Sequence, residues 1–479
     1  MPSHAAQPRT SAVVKAYDIR GLVPEELDAT IVRRVGRAFA ELTGDGAPAH
    51  PGVLVGRDAR LSSPELAGAF AEGVTSAGVD VIDIGLASTD LLYFGAGSMN
   101  LPGAMITASH NPGGYNGIKL CRSAAVPVGW DTGLSWIAEQ LDATAPAEPE
   151  RAPAAAPGSV TRHDLLDAFV AYLRQLVPLD GLRDLRVVVD AGNGMAGLTV
   201  QPVFADSAVT VDGLYLELDG TFPNHDANPL DSSTLVDLQA RVVATGADLG
   251  LAFDGDADRC FVVDEAGALV SPSAITGLIA ERELARHPGA SIIHNLITSK
   301  AVPEVIVENG GVPVRTRVGH SYIKATMART GAVFGGEHSG HFYFADFWKA
   351  DSGLLAAMHV LAALGQTPLG TPASRLVADF ERYSRSGEVN STVADPAAVL
   401  VAAEREFGGR EGMDIDHLDG LTVQAEDWWF NLRASNTEPL LRLNVEAGDH
   451  EQMMSVRDEV LAFVAAHAGE EPAQTRSRS

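Results

Sequence analysis

Short runs rich in Val, Ile and Leu alternate with stretches whose apolar residues recur at helical spacing, and this rhythm is sustained over most of the 479-residue chain. Strand side chains alternate with period two and helical ones repeat near 3.6, so the alternation constrains the fold more than any composition figure. The first unit reads VLVGRDAR, then SPELAGAFAEGVTSAG, then VDVIDIGL: strand, amphipathic helix, strand. Strands joined through helices return in the same direction, which predicts α/β domains with parallel sheets. A second unit opens with HDLLDAFVAYLRQLV and LRVVVD and ends at LGLAFD and CFVVD. A third runs from PSAITGLIAERELAR through IIHNLITSK and VPVRTRVG to GLLAAMHVLAALG. From about Glu388 the runs EVNSTV, LTVQAE, WWFNLRAS and LLRLNVEA precede a terminal helix, EQMMSVRDEVLAFVAAH, which is an α+β pattern. No sequence repeat among the first three units is strong enough to assert duplication.

A Pro/Ala-rich segment at about 143–159 has too little apolar bulk for a core and marks the clearest boundary. The expected organisation is therefore 1–158, 159–264, 265–384 and 385–468: three α/β domains and a C-terminal α+β domain. The polar tail after about Ala466 is expected to fray. A net charge of −27 argues against broad attraction to nucleic acid or anionic membrane. No stretch has the apolar length of a membrane span or a secretory signal. The two cysteines, Cys121 and Cys260, are far apart and lack metal-type spacing, which fits a reducing, cytoplasmic setting.

Four loops carry chemistry. Thr107-Ala108-Ser109-His110-Asn111-Pro112 follows the apolar strand LPGAMI, so Ser109 is expected on an exposed loop at a strand's end, where open sheets bind ligands. His110 is a tempting base, but a sequence neighbour normally projects elsewhere, and a polar turn stiffened by Pro112 is the competing reading. Asp254-Gly255-Asp256-Ala257-Asp258-Arg259 lies between apolar strands. Three carboxylates at alternate positions repel one another unless a cation neutralises them, and hard oxygen ligands suit Mg²⁺ or Ca²⁺. A calcium-binding EF-hand fails, since Arg259 stands where that loop needs glycine and the flanks read as strands. Arg259 beside the acids suggests that a phosphate also approaches.

Gly336-Glu337-His338-Ser339-Gly340-His341 frames with glycines polar groups suited to sugar hydroxyls, and a polar hairpin turn is its alternative. Arg433-Ala434-Ser435-Asn436-Thr437-Glu438-Pro439 sets a guanidinium, hydroxyls and backbone N–H groups around one turn, which suits a terminal phosphate or an ordinary Ser/Asn turn. Gly192-Asn193-Gly194-Met195-Ala196-Gly197 is a weak dinucleotide match, because Asp212 follows too soon. A glycine turn that packs a helix on its strand explains it better.

Together, in this order, the four loops resemble the α-D-phosphohexomutase superfamily, most closely its bacterial phosphomannomutase/phosphoglucomutase branch. The resemblance spans the chain from Tyr17-Asp18-Ile19-Arg20-Gly21 to the Arg433 loop. It implies four domains around a central cleft, a phosphoserine at Ser109, and Mg²⁺ held by Asp254, Asp256, Asp258 and Ser109 itself. It implies sugar contacts from Glu337 and Ser339 with His341 nearby, and phosphate contacts from Arg433, Ser435, Asn436 and Thr437. Arg20, Lys119, Arg259, His320 and Lys324 match basic groups lining the cleft, with Lys119 or His320 as proton shuttle. Some relatives carry a basic residue near the place of Ile297, where Lys300 is the nearest candidate here. The implied reaction interconverts hexose 6-phosphate and hexose 1-phosphate through a hexose 1,6-bisphosphate, which also serves as primer. Aminosugar phosphate mutases of the same fold and Mg²⁺-dependent sugar phosphatases are the alternatives. Small hexose phosphates are the expected partners of a monomer or small homo-oligomer.

Overall fold

The computed structural model describes residues 10–44, 52–143, 156–434 and 440–469. Ser435, Asn436 and Thr437, most of the Pro/Ala-rich segment and residues 470–479 of the tail lie outside them. The expected runs form their elements. SPELAGAFAEGVTS is the helix Ser63–Ser76, and PSAITGLIAERELAR is Pro272–Arg286. GLLAAMHVLAALG is Gly353–Gly365, a helix apolar on nearly every side and accordingly buried on nearly every side.

The sheets are not wholly parallel, which corrects one expectation. In the first unit Val53–Arg57 pairs in parallel with Val81–Leu86 on one side and Gly103–Ile106 on the other, and the latter pairs antiparallel with Tyr115–Arg122. The second unit does the same with Leu185–Asp190, Val209–Leu214, Leu249–Phe253 and Cys260–Asp264. The third repeats it with Ser291–Asn295, Val312–Thr316, Phe334–Gly336 and Phe342–Phe344. The reason is loop length, since the third and fourth strands are joined too closely for a crossover helix and can only form a hairpin. One topology is thus used three times, although no sequence repeat announces it. Strand order answers to periodicity and connection length, which many apolar sequences satisfy. The first sheet also takes an edge strand, Val160–Arg162, from beyond the Pro/Ala-rich segment.

The fourth sheet is antiparallel throughout and carries the helices Pro396–Phe407 and His450–His467. A single apolar cluster runs through the first three units, including Leu92, Phe169, Phe253, Phe342 and Leu354. The fourth has its own, around Val423, Phe430, Leu443 and Val460, and meets the third at a small contact of Leu296, Ile297 and Trp429. None of the described helices is long and apolar enough to cross a membrane.

Candidate active site

Each of the first three loops joins the two antiparallel strands of a hairpin in its unit's sheet, and the three converge. Ser109 adopts a left-handed backbone with φ of +51°. Its N–H donates to Thr107 Oγ1 at 3.0 Å, and its hydroxyl donates to Asp254 Oδ2 at 2.8 Å. Contrary to expectation Ser109 is not exposed: 2% of it is accessible, because the acid loop of the second unit lies over it. Gly255 makes that approach possible, since a Cβ there would stand 2.4 Å from the Ser109 carbonyl oxygen. A second correction concerns His110, whose Nδ1 lies 3.2 Å from Ser109 Oγ. The left-handed turn folds two consecutive side chains together. Arg259 occupies the same nitrogen at 3.0 Å, and its charge, followed by burial, holds His110 well below the usual imidazole range. A neutral ring backed by a guanidinium is no serine–histidine–acid triad.

Asp254, Asp256 and Asp258 are buried and bring one oxygen each within 4.8 Å of one another. Burial and then the neighbouring carboxylates raise Asp254 to about 7. Burial pushes Asp256 upward too, but the Lys119 ammonium and a hydrogen bond from the Thr89 hydroxyl outweigh it and leave this acid below its ordinary range. Lys119 Nζ is 2.6 Å from Asp256 and also pairs with Asp258. Asp256 Oδ1 and Asp258 Oδ1 are buried without a hydrogen-bond partner. Buried, clustered carboxylates with unsatisfied oxygens are the donor set of a hard divalent cation, so these residues fit Mg²⁺.

Arg20 reaches the same loop from a neighbouring strand and donates to Asn111 Oδ1 and Asp18 Oδ2. Arg259 Nε stands 3.4 Å from Asp254, and the Arg259 backbone bridges that of His341. That bridge joins the second and third units. Glu337 is buried, accepting from Gly319 N at 3.0 Å and Tyr343 OH at 2.7 Å, while Ser339 is half-buried beside it. His341 Nδ1 lies 2.9 Å from Asp351 and 3.7 Å from Asp258.

Lys324 departs from the expectation of a cleft-lining cation. It is 5% exposed, pairs with Asp351 at 2.7 Å and sits 4.2 Å over the Tyr93 ring. Its helix, His320–Thr330, turns it toward the partner of His341. Lys324→Met is expected to destabilise the protein by roughly 3–5 kcal/mol, because Asp351 keeps its buried charge and loses its cation. Urea unfolding checks this, and an unchanged midpoint contradicts it.

His320 begins that helix, and its side chain lies outside the described set. Arg433 donates to Glu388, which also takes Arg442. Burial, with the Arg385 and Arg433 guanidiniums, pushes His338 down to about 4, so the fourth unit's arginines stand close to the third unit's loop. Lys300 faces the contact between these units, its backbone N–H on Glu446 and its ammonium on the Glu426 carbonyl. Ile297 is buried there against Trp429. The Gly192 turn packs on the acid loop: Met195 N donates to the Gly255 carbonyl, and a Cβ at Gly194 would lie 2.7 Å from that oxygen. It buttresses the acid loop.

Sequence profiles of the phosphoglucomutase/phosphomannomutase family match in four consecutive stretches. The α/β/α domains I, II and III fall at 11–147, 167–267 and 271–383, and the C-terminal domain at 388–463. The chain belongs to the phosphoglucomutase/phosphomannomutase family. A phosphomannomutase of Salmonella typhimurium is 40% identical over 456 residues, 93% of this chain and 97% of the relative. A Xanthomonas campestris protein named for phosphohexose mutases is 38% identical over 455 residues, 95% of this chain and 99% of its own. The solved structure of a phosphoglucomutase/phosphomannomutase family protein from Burkholderia thailandensis aligns with a TM-score of 0.83 at 34% identity, covering 96% of this chain and 98% of that one. Membership makes the chain a phosphohexomutase, an isomerase that moves a phosphoryl group within a sugar phosphate. Enzymes of this family are magnesium-dependent, and the three aspartates are where such an ion fits.

Sequence reasoning missed Thr89, Asp351, Asp58 and Arg60. The one signal for the last two is a cluster of charges, Arg57-Asp58-Ala59-Arg60, directly after an apolar strand that leads into the core.

Proposed function

We propose that the protein interconverts the 6-phosphates and 1-phosphates of mannose and glucose, carrying the phosphoryl group on Ser109. The observation that carries this reading is a serine hydroxyl bonded to one of three buried aspartates and ringed by Lys119, Arg259 and Arg20. In the first half-reaction a free sugar hydroxyl attacks the phosphorus of phosphoserine 109. The new P–O bond forms as the bond to Ser109 Oγ breaks, and the product is a hexose 1,6-bisphosphate. The hydroxyl's proton leaves to a base, for which His320 is the proposed group, because Asp256 and Asp258 hold Lys119 as an ammonium that cannot accept it. The bisphosphate turns end for end and returns its other phosphoryl group to Ser109, so nothing is consumed overall.

A bound Mg²⁺ supplies charge neutralisation at the phosphoryl oxygens. Lys119, Arg20 and Arg259 add fixed positive charge around the transfer, in which positioning counts for more than covalent help from the protein. Glu337 and Ser339, with His341, are proposed to hold sugar hydroxyls. Arg433 with Ser435, Asn436 and Thr437 is proposed to hold the phosphate that does not react. Two buried free cysteines support a reducing, cytoplasmic setting, and a monomer or small homo-oligomer is the proposed state.

A substrate that turns over meets Glu337 and Ser339 in two orientations. Contacts common to both are those to the 3- and 4-hydroxyls, which mannose and glucose share. The expected discrimination is therefore within roughly 10²-fold in kcat/KM. A coupled assay with mannose 1-phosphate and glucose 1-phosphate, primed by a hexose bisphosphate, measures it. A preference beyond about 10⁴-fold would mean a site built to read the 2-hydroxyl. Release of inorganic phosphate instead of isomer would make the protein a phosphatase, and turnover of aminosugar phosphates alone would make it an aminosugar mutase.

A further inference from the structure

Arg60 is 1% exposed and heads the largest fully buried side chains among the described residues. An enclosed guanidinium needs a partner for each of its five N–H bonds, and here every one has a partner. Nε donates to Asp58 Oδ2 at 3.1 Å. Nη1 donates to the carbonyls of Pro112 at 2.8 Å and Tyr115 at 3.0 Å. Nη2 donates to those of Ser109 at 2.8 Å and Asn111 at 2.6 Å. Three of the five therefore end on the loop that carries the nucleophile, and a fourth on Tyr115, where the next strand begins. Asp58 balances the charge and is itself held by Arg60 N at 3.0 Å and the Ser63 hydroxyl at 2.5 Å. The second unit closes over the group: the Phe222 ring lies 5.0 Å from the guanidinium carbon, and Gly220 packs so tightly that a Cβ would stand 2.3 Å from Arg60 Cα.

No N–H of Arg60 remains for a phosphate, which separates it from Arg20 and Arg259. What it fixes is backbone. Ser109 holds a φ of +51°, a region that residues with a Cβ rarely occupy, and that turn aims Oγ at Asp254. A planar fork bonded to the Ser109 and Asn111 carbonyls holds both sides of the turn at once. We propose that Arg60 is a positioning residue for phosphoryl transfer, acting through Ser109 and touching no substrate. The inference rests on Ser109 as the phosphoryl carrier. The same turn must present the serine twice in each catalytic cycle, once to give and once to receive, so its geometry bears on both half-reactions.

Arg60→Lys is the informative variant. Lysine keeps the charge beside Asp58 and most of the volume, but its three donors share one nitrogen and cannot span four carbonyls. Wild type and variant are mixed with hexose 1,6-bisphosphate and Mg²⁺, quenched at intervals, and the phosphate on Ser109 is followed by mass. The variant is expected to phosphorylate about 10²-fold more slowly, since a misplacement near 1 Å costs that much. It should reach the same final extent, with KM within about threefold of wild type. A purely structural role predicts the reverse: a lower final extent and thermal midpoint, with an unchanged rate for the folded fraction. A rate within about threefold of wild type overturns the proposal. Should wild type itself take up no phosphate at Ser109, it is the reading of Ser109 that fails. Should Arg60→Lys not fold, hydrogen exchange on wild type decides. Amides of residues 109–111 and 113–115 are expected to exchange as slowly as the adjoining strand, and exchange at open-loop rates overturns the proposal.

Discussion

Ser109→Ala is expected to lower turnover by at least about 10⁴-fold while leaving a folded protein, since the reaction keeps its binding groups and loses the atom that carries the phosphoryl group. Lys119, Arg20, Arg259 and the aspartates all stay in place, so substrate and Mg²⁺ should still bind. The change in stability should stay within about 1 kcal/mol. Alanine and serine meet the same steric cost at a φ of +51°, and the lost hydroxyl leaves Asp254 Oδ2 with Arg259 Nε 3.4 Å away. Steady-state kinetics beside circular dichroism separates the two effects. A variant that keeps a tenth or more of wild-type kcat would place the phosphoryl carrier elsewhere.

Asp256→Asn is the second large effect. Asp256 is the acid drawn on by Lys119 and Thr89, and one of its oxygens has no hydrogen-bond partner. Asparagine preserves the shape but removes one negative charge from a hard-cation site. It also leaves Lys119 with Asp258 as its remaining close carboxylate. Mg²⁺-dependent activity should fall by more than roughly 10²-fold, because even residues behind the ligands of a metal site typically cost 10–100-fold when changed. Calorimetry should show weaker Mg²⁺ binding in the same variant. EDTA should silence the wild type, and added Mg²⁺ should restore it. Activity that persists unchanged in chelator would rule out a metal role for this loop.

What the sequence made legible follows from what each feature depends on. The acid loop is readable because three alternating carboxylates between apolar strands make a local electrostatic problem, and the structure shows that problem as buried oxygens without partners. The strands and helices are readable because periodicity is local. The contact between Ser109 and His110 is not. It depends on a left-handed turn held by Arg60, 49 residues earlier in the chain. Lys324 could not be placed either, since its helix and Asp351 come together only when the third sheet folds. The threefold use of one sheet topology leaves no trace in residue identity, because connection length and apolar periodicity suffice to specify it.

The central claim is that the phosphoryl group passes through Ser109, and the most direct measurement follows the group itself. The enzyme is incubated with hexose 1,6-bisphosphate carrying labelled phosphate, then chased with unlabelled hexose 1-phosphate. The account predicts label on the peptide containing Ser109, and loss of that label to sugar at a rate no slower than kcat. Turnover with no label on Ser109, or with label that the chase does not remove, would contradict it.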